Sequence, residues 1–106
     1  MNNEHILKHS SSYQERLLQD LRDKDEAIAY LKVALEEYEH DHDAEAFMMA
    51  LRNVAEAYGG IKNLAAKAHI NREDLYRALS KKSSPRLITL DIILRSLGFK
   101  LSIETI

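Results

Sequence analysis

LAAKAHINREDLYRALSKKS, residues 64–83, holds the pattern on which the fold turns. Measured from Ala65, positions −1, +3, +5, +10 and +13 are the apolar Leu64, Ala68, Ile70, Leu75 and Ala78, while +6, +7, +8, +11 and +12 are Asn71, Arg72, Glu73, Tyr76 and Arg77. That spacing suits two short helices that cross at a small residue, Ala65, and share an apolar wedge. The turn between them needs one residue at positive φ. Glycine is the usual choice, but His69 stands there, and histidine is among the few side chains enriched in that region. Asn71 is placed to cap the second helix, expected from Arg72 to about Ser80. The pattern predicts a helix-turn-helix whose second helix shows Arg72, Glu73, Tyr76 and Arg77 to its surroundings, followed by Lys81 and Lys82.

Upstream, Gly59 closes a helix expected near 44–58, whose apolar face is Phe47, Leu51, Val54, Ala55 and Tyr58. Before it, Ala27, Leu31, Ala34, Leu35 and Tyr38 form a helical stripe that starts after the cap-like segment Asp23 to Glu26. Ser12 to Glu15 reads as a capping box for a short first helix carrying Tyr13, Leu17, Leu18 and Leu21. His40, Asp41, His42 and Asp43 invite a metal reading. All four are turn-friendly residues at a helix boundary, however, with Asp43 placed as an N-cap, so no metal site is expected. Downstream, Pro85 stops the second helix of the pair, and a last helix over about 87–97 ends at Gly98. In FKLSIETI, residues 99–106, Phe99, Leu101 and Ile103 alternate with polar residues, which is strand periodicity.

The expected organisation is a flexible arm (1–11), an N-terminal helical extension (12–42) and a helix-turn-helix unit with its strand (43–106), compact as a whole. The fold class is all-α with one short C-terminal strand. A chain of 106 residues supports one core. It has no cysteine, which excludes disulfides and thiol chemistry and suits a reducing cytoplasm. No apolar run approaches the ~18 residues that span a bilayer, so no membrane role is expected. With no glycine-rich phosphate loop, no metalloprotease motif and no serine in a nucleophile setting, neither an enzyme nor a cofactor is expected. The formal charge of −2 is unevenly placed: 13 acidic and 6 basic residues up to Tyr58 give −7, whereas 9 basic and 4 acidic residues from Gly59 onward give +5. Such asymmetry is a hint of nucleic-acid binding by the basic half.

GGIKNLAAKAHINREDLYRALSKKSSPRLITLDIILRSLGFKLSI, residues 59–103, resembles the lambda-repressor (Cro-like) helix-turn-helix class. More narrowly it is similar to the addiction-module antidote family, the HigA-like antitoxins. LAAKA, INREDLYRALS, the proline five residues after that serine and LRSLGFKL carry the likeness, supported upstream by AIAYLKVALEE and AFMMALRNVAEAYGG. The match runs over roughly residues 23–103. The resemblance implies a repressor that binds its own operator and neutralises a co-encoded toxin of RelE/ParE-like type, expected to be basic.

For DNA, Arg72 and Arg77 can each offer a planar fork to guanine O6 and N7, Glu73 can accept from cytosine N4, and Tyr76 can meet a phosphate or a thymine methyl. Lys62, Lys81 and Lys82, with Asn71 after its capping role, suit the phosphate backbone. The strand at Phe99, Leu101 and Ile103 cannot satisfy its own edge and must pair with a symmetry mate, a partner protein or the N-terminal arm. A two-fold mate is the commonest solution, and the homodimer expected there sets two recognition helices about 34 Å apart over a palindromic operator. The acidic segment 20–45 is the candidate toxin contact. Two other functions fit the residues less closely: a stand-alone phage-type repressor, and a helical adaptor whose basic face meets an acidic protein.

Overall fold

Short polar side chains cap the starts of two helices, and left-handed histidines end two of them. A computed structural model describes residues 11–80 and 84–106. Its helices are α1 (Ser11–Leu21), α2 (Lys24–Asp41), α3 (Glu45–Ala57), α4 (Gly60–Ala68), α5 (Arg72–Ala78) and α6 (Leu87–Ser96). The arm expected over residues 1–11 lies outside the described residues except for Ser11. That serine already belongs to α1, so Ser12 sits inside the first turn and not ahead of it as a capping residue.

Asp23 caps α2 as its sequence suggests, its Oδ1 accepting from the amides of Asp25 at 2.8 Å and Glu26 at 3.4 Å. His42 ends that helix at φ 59°, its amide donating to the Tyr38 carbonyl. The Asp41 carboxylate accepts from the Asp43 amide at 2.8 Å, and that of Asp43 accepts from Glu45 at 3.0 Å. The two aspartates of the 40–43 segment are thus engaged in building a helix-to-helix turn. Gly59 and Gly60, at φ 109° and 88°, reverse the chain between α3 and α4. A Cβ on Gly59 would collide with the Asn63 amide, which donates to the Tyr58 carbonyl across the turn at 3.4 Å.

α3 packs against α1, α2 and α4, and α4 in turn packs against α5 and α6. One continuous apolar cluster runs from Leu21, Ala27 and Leu31 through Leu51, Val54 and Ala55 to Leu75, Leu79, Ile93 and Leu97. Alanines at 27, 34, 50, 55, 57 and 65 are buried, and their small side chains let the helix axes approach closely. A polar string ties the first three helices together: Gln14 donates to Asn53, and Asn53 donates to the Tyr30 hydroxyl at 2.9 Å.

Two expectations are corrected. The stripe on α2 is buried at Ala27, Leu31 and Ala34 but exposed at Leu35 and Tyr38. The cause is length. At about 1.5 Å per residue, the 11-residue α1 folding back on the 18-residue α2 cannot cover its far end. The C-terminal strand is also absent: the described residues contain no strand, and 99–106 have no regular structure. An isolated segment has no ladder partner for its amides and carbonyls, and none of the described helices offers an edge. Phe99 is committed within its own chain, its amide donating to the Leu94 carbonyl at 2.8 Å and its ring stacked on Tyr58. Leu101 is exposed, and Ile103 is 98% exposed. No helix among the described residues is long and apolar enough to cross a membrane.

Candidate nucleic-acid interface

The helix pair picked out by its spacing is joined by a three-residue turn, His69 to Asn71. His69 adopts φ 56°, the left-handed conformation demanded of the turn residue. Its amide and that of Ile70 both donate to the Ala65 carbonyl, which closes the end of α4. Asn71 then starts α5, its side-chain oxygen accepting from the Glu73 amide at 2.8 Å. A helix of seven residues does not hold itself together in water, so tertiary anchoring must position it. Leu75 supplies that anchor with Leu79 just beyond, both fully buried. Leu64, Ala65 and Ala68 are buried as well, while Ile70 and Ala78 are half-buried against the same core.

With its apolar side fixed, α5 turns the opposite side outward. Asn71, Arg72, Glu73 and Tyr76 line one shallow depression of about 440 Å³. All four side chains are exposed, and together they present a guanidinium, a carboxylate, an amide and a phenol on one short helix. Arg77 stands apart from them, its Nη2 lying 2.6 Å from the Asp74 carboxylate. Both members of that pair are exposed, so the contact contributes only ~0.3 kcal/mol and releases readily to a better acceptor. Lys62 is exposed in α4 near its start. Lys81 and Lys82 lie outside the described residues.

One basic residue here has no signal in the sequence around α5. Arg52, on α3, places its guanidinium carbon 5.5 Å from the centre of the Tyr76 ring. It stands in the acidic half of the chain, twenty-four residues before its ring partner, and helix periodicity on α3 marks it only as outward-facing. Three other cations have local settings of their own. Lys24, Lys67 and Arg95 border a second cleft beside Tyr58 and Gly98. Lys67 and Arg95 occupy the last turns of α4 and α6, where positive charge offsets the free carbonyls, and the Lys24 ammonium lies against Gly98 just beyond α6. Arg95 also donates to Asp91 at 3.0 Å. The Tyr58 hydroxyl is buried there with no hydrogen-bond partner among the described residues, and its pKa is raised from 10.0 by burial and by the nearby Asp23 carboxylate.

No curated protein and no solved structure matches the chain. A family model described as "Probable addiction module antidote protein" matches residues 13–105. That span takes in all but the first two residues of α1, every later helix, the turn at His69 and most of the tail after Gly98. The chain therefore belongs to the probable addiction module antidote family.

Proposed function

We propose that this antidote is also a sequence-specific DNA-binding autorepressor, with α4 and α5 acting as a helix-turn-helix of the lambda-repressor kind. The observation that carries the reading is the convergence of Asn71, Arg72, Glu73 and Tyr76 on the solvent side of α5, whose other side is anchored by Leu75. A short helix held by its apolar face and showing mixed donors and acceptors matches the size and chemistry of a major groove. Arg72 and Glu73 read base edges, Tyr76 meets the backbone or a thymine methyl, and Arg77 joins them when its pair with Asp74 opens. Lys62 contacts phosphate, with Lys81 and Lys82 assigned the same task.

Family membership supports a cognate toxin partner. In this reading the toxin is basic and RelE/ParE-like, and it docks on the exposed acidic end of α2. A palindromic operator calls for a two-fold mate, and the exposed side chains of Leu87 and Ile88 at the start of α6 are apolar surface that a second copy would cover.

The test is fluorescence anisotropy with a duplex taken from upstream of the protein's own reading frame, beside a scrambled duplex, across a salt series. The own-upstream duplex is expected to bind at least ~10³-fold more tightly, with affinity falling as salt rises. Equal affinity for the two duplexes would remove the repressor reading and leave a protein-binding helical module.

A further inference from the structure

Building on the DNA-binding reading above, we propose that Arg52 extends the DNA interface onto α3, contacting a backbone phosphate and holding the Tyr76 ring in place. Three observations support it. Arg52 is exposed, and its guanidinium lies over the Tyr76 ring at 5.5 Å. Tyr76 is itself 42% exposed and lines the depression shared by Asn71, Arg72 and Glu73. Arg52 makes no hydrogen bond or ion pair to any described residue, in contrast to Arg77, which is tied to Asp74.

The geometry explains why this matters. A guanidinium within cation–π range of a ring, with no hydrogen bond to any described residue, keeps its N–H donors free for a phosphate. The cation–π contact also limits rotamer freedom before DNA arrives, so less is lost on binding. The ring gains in turn: clamped by Arg52, Tyr76 has fewer orientations in which to meet DNA. Arg52 is the sole basic residue of α3. The other charged residues of α3 are the acids Glu45 and Glu56, and the fold places this one cation beside Tyr76 on α5.

The experiment measures salt-dependent binding of the full chain and its variants to the own-upstream and scrambled duplexes. Arg52→Ala is expected to weaken both duplexes alike, about tenfold, as for loss of one charge-assisted hydrogen bond. It should also lower the slope of log affinity against log salt by about one unit. Arg52→Lys should restore the slope but not the full affinity. Tyr76→Phe, which keeps the ring face, should leave the slope unchanged. In Arg52→Ala/Tyr76→Ala the combined loss should be smaller than the product of the single losses, because the two side chains act together. An unchanged slope in Arg52→Ala, or losses that multiply independently, overturns the proposal while the wild type still discriminates between duplexes. A wild type that does not discriminate overturns the DNA reading itself. Thermal melting of Arg52→Ala should change little, since the side chain is exposed and its loss removes only a surface cation–π contact.

Discussion

Replacing His69 tests the turn that orients α5. At φ 56° a non-glycine residue carries about 1–2 kcal/mol of backbone strain, reduced for histidine, which tolerates the region better than most. Glycine removes that strain but widens the unfolded ensemble, offsetting about 0.4–1 kcal/mol of the gain. The His69 side chain is exposed and makes no hydrogen bond or ring contact among the described residues. His69→Gly should therefore stabilise the protein by about 0.5 kcal/mol. His69→Val places a β-branched side chain where its Cβ substituents clash with the backbone, and should cost about 1–2 kcal/mol relative to the wild type. The gap between the two variants, near 2 kcal/mol, corresponds to a melting difference of roughly 10 °C for a domain of this size. Urea unfolding followed by far-ultraviolet circular dichroism gives both values, provided the slopes agree among variants. His42 is the internal comparison. It has almost the same φ, 59°, but its ring meets Tyr38 edge-on with 6.0 Å between centroids, so His42→Gly loses a contact and should gain less. If His69→Gly destabilises while His69→Val is tolerated, the turn does not use a left-handed residue and the placement of α5 is wrong.

Leu75→Ala should cost about 2–5 kcal/mol, because it empties a fully buried site and removes the buried anchor of a seven-residue helix. Hydrogen exchange should then show α5 amides losing protection before those of α3, and uniform loss across both would count against local anchoring. Tyr58→Phe should be neutral or stabilising by up to ~1 kcal/mol, since the hydroxyl it removes is buried with no partner among the described residues. The folded state raises the Tyr58 pKa, so its contribution is present below pH 10 and is lost as pH climbs through the folded value. Wild-type stability should accordingly fall more steeply than that of Tyr58→Phe in alkaline unfolding curves, and parallel curves would refute the assignment.

The helix pair was legible because both of its constraints are local. A wedge of apolar residues at fixed offsets and a turn residue tolerant of positive φ can be read from fifteen positions, and Leu64, Ala65, Ala68 and Leu75 are indeed buried. Asp23 and Asn71 were legible as caps for the same reason. What failed needed information from elsewhere in the chain. Alternation in 99–106 looks like a strand, but a strand exists only with a ladder partner, and Phe99 found Tyr58 first. The α2 stripe predicted burial to Tyr38, yet coverage depends on the length of α1. Met48 and Ala50 lie in the core although the stripe read from Phe47 and Leu51 did not include them. Arg52 beside Tyr76 is a contact between residues twenty-four apart on helices α3 and α5, and no spacing rule announces it.

The division of charge along the sequence suggests two separable halves, but the core does not divide there. Leu21, Ala27, Leu31 and Ala34 share one cluster with Leu51, Val54, Leu75 and Ile93, so a fragment beginning at Asp43 would expose apolar surface on α3 and lose its fold. Toxin contact through α2 must be tested in the full chain. Glu36, Glu37 and Glu39 are exposed in the last two turns of α2, beside exposed Leu35 and Tyr38. Negative charge in the last turn of a helix opposes the macrodipole, so Glu39 costs a few tenths of a kcal/mol where it stands. A basic toxin is the partner proposed for these three acids. Changing all three to lysine should leave the helix no less stable, which separates lost recognition from lost folding. Complementary charge acts mainly on encounter, so the association rate with the co-encoded toxin should fall by about 10–100-fold at low salt. The rates of wild type and variant should converge as salt rises, while dissociation and operator binding change little. Surface plasmon resonance across a salt series measures each of these. If association at low salt is unchanged, the three glutamates are a solvated face, and the toxin docks elsewhere on the molecule.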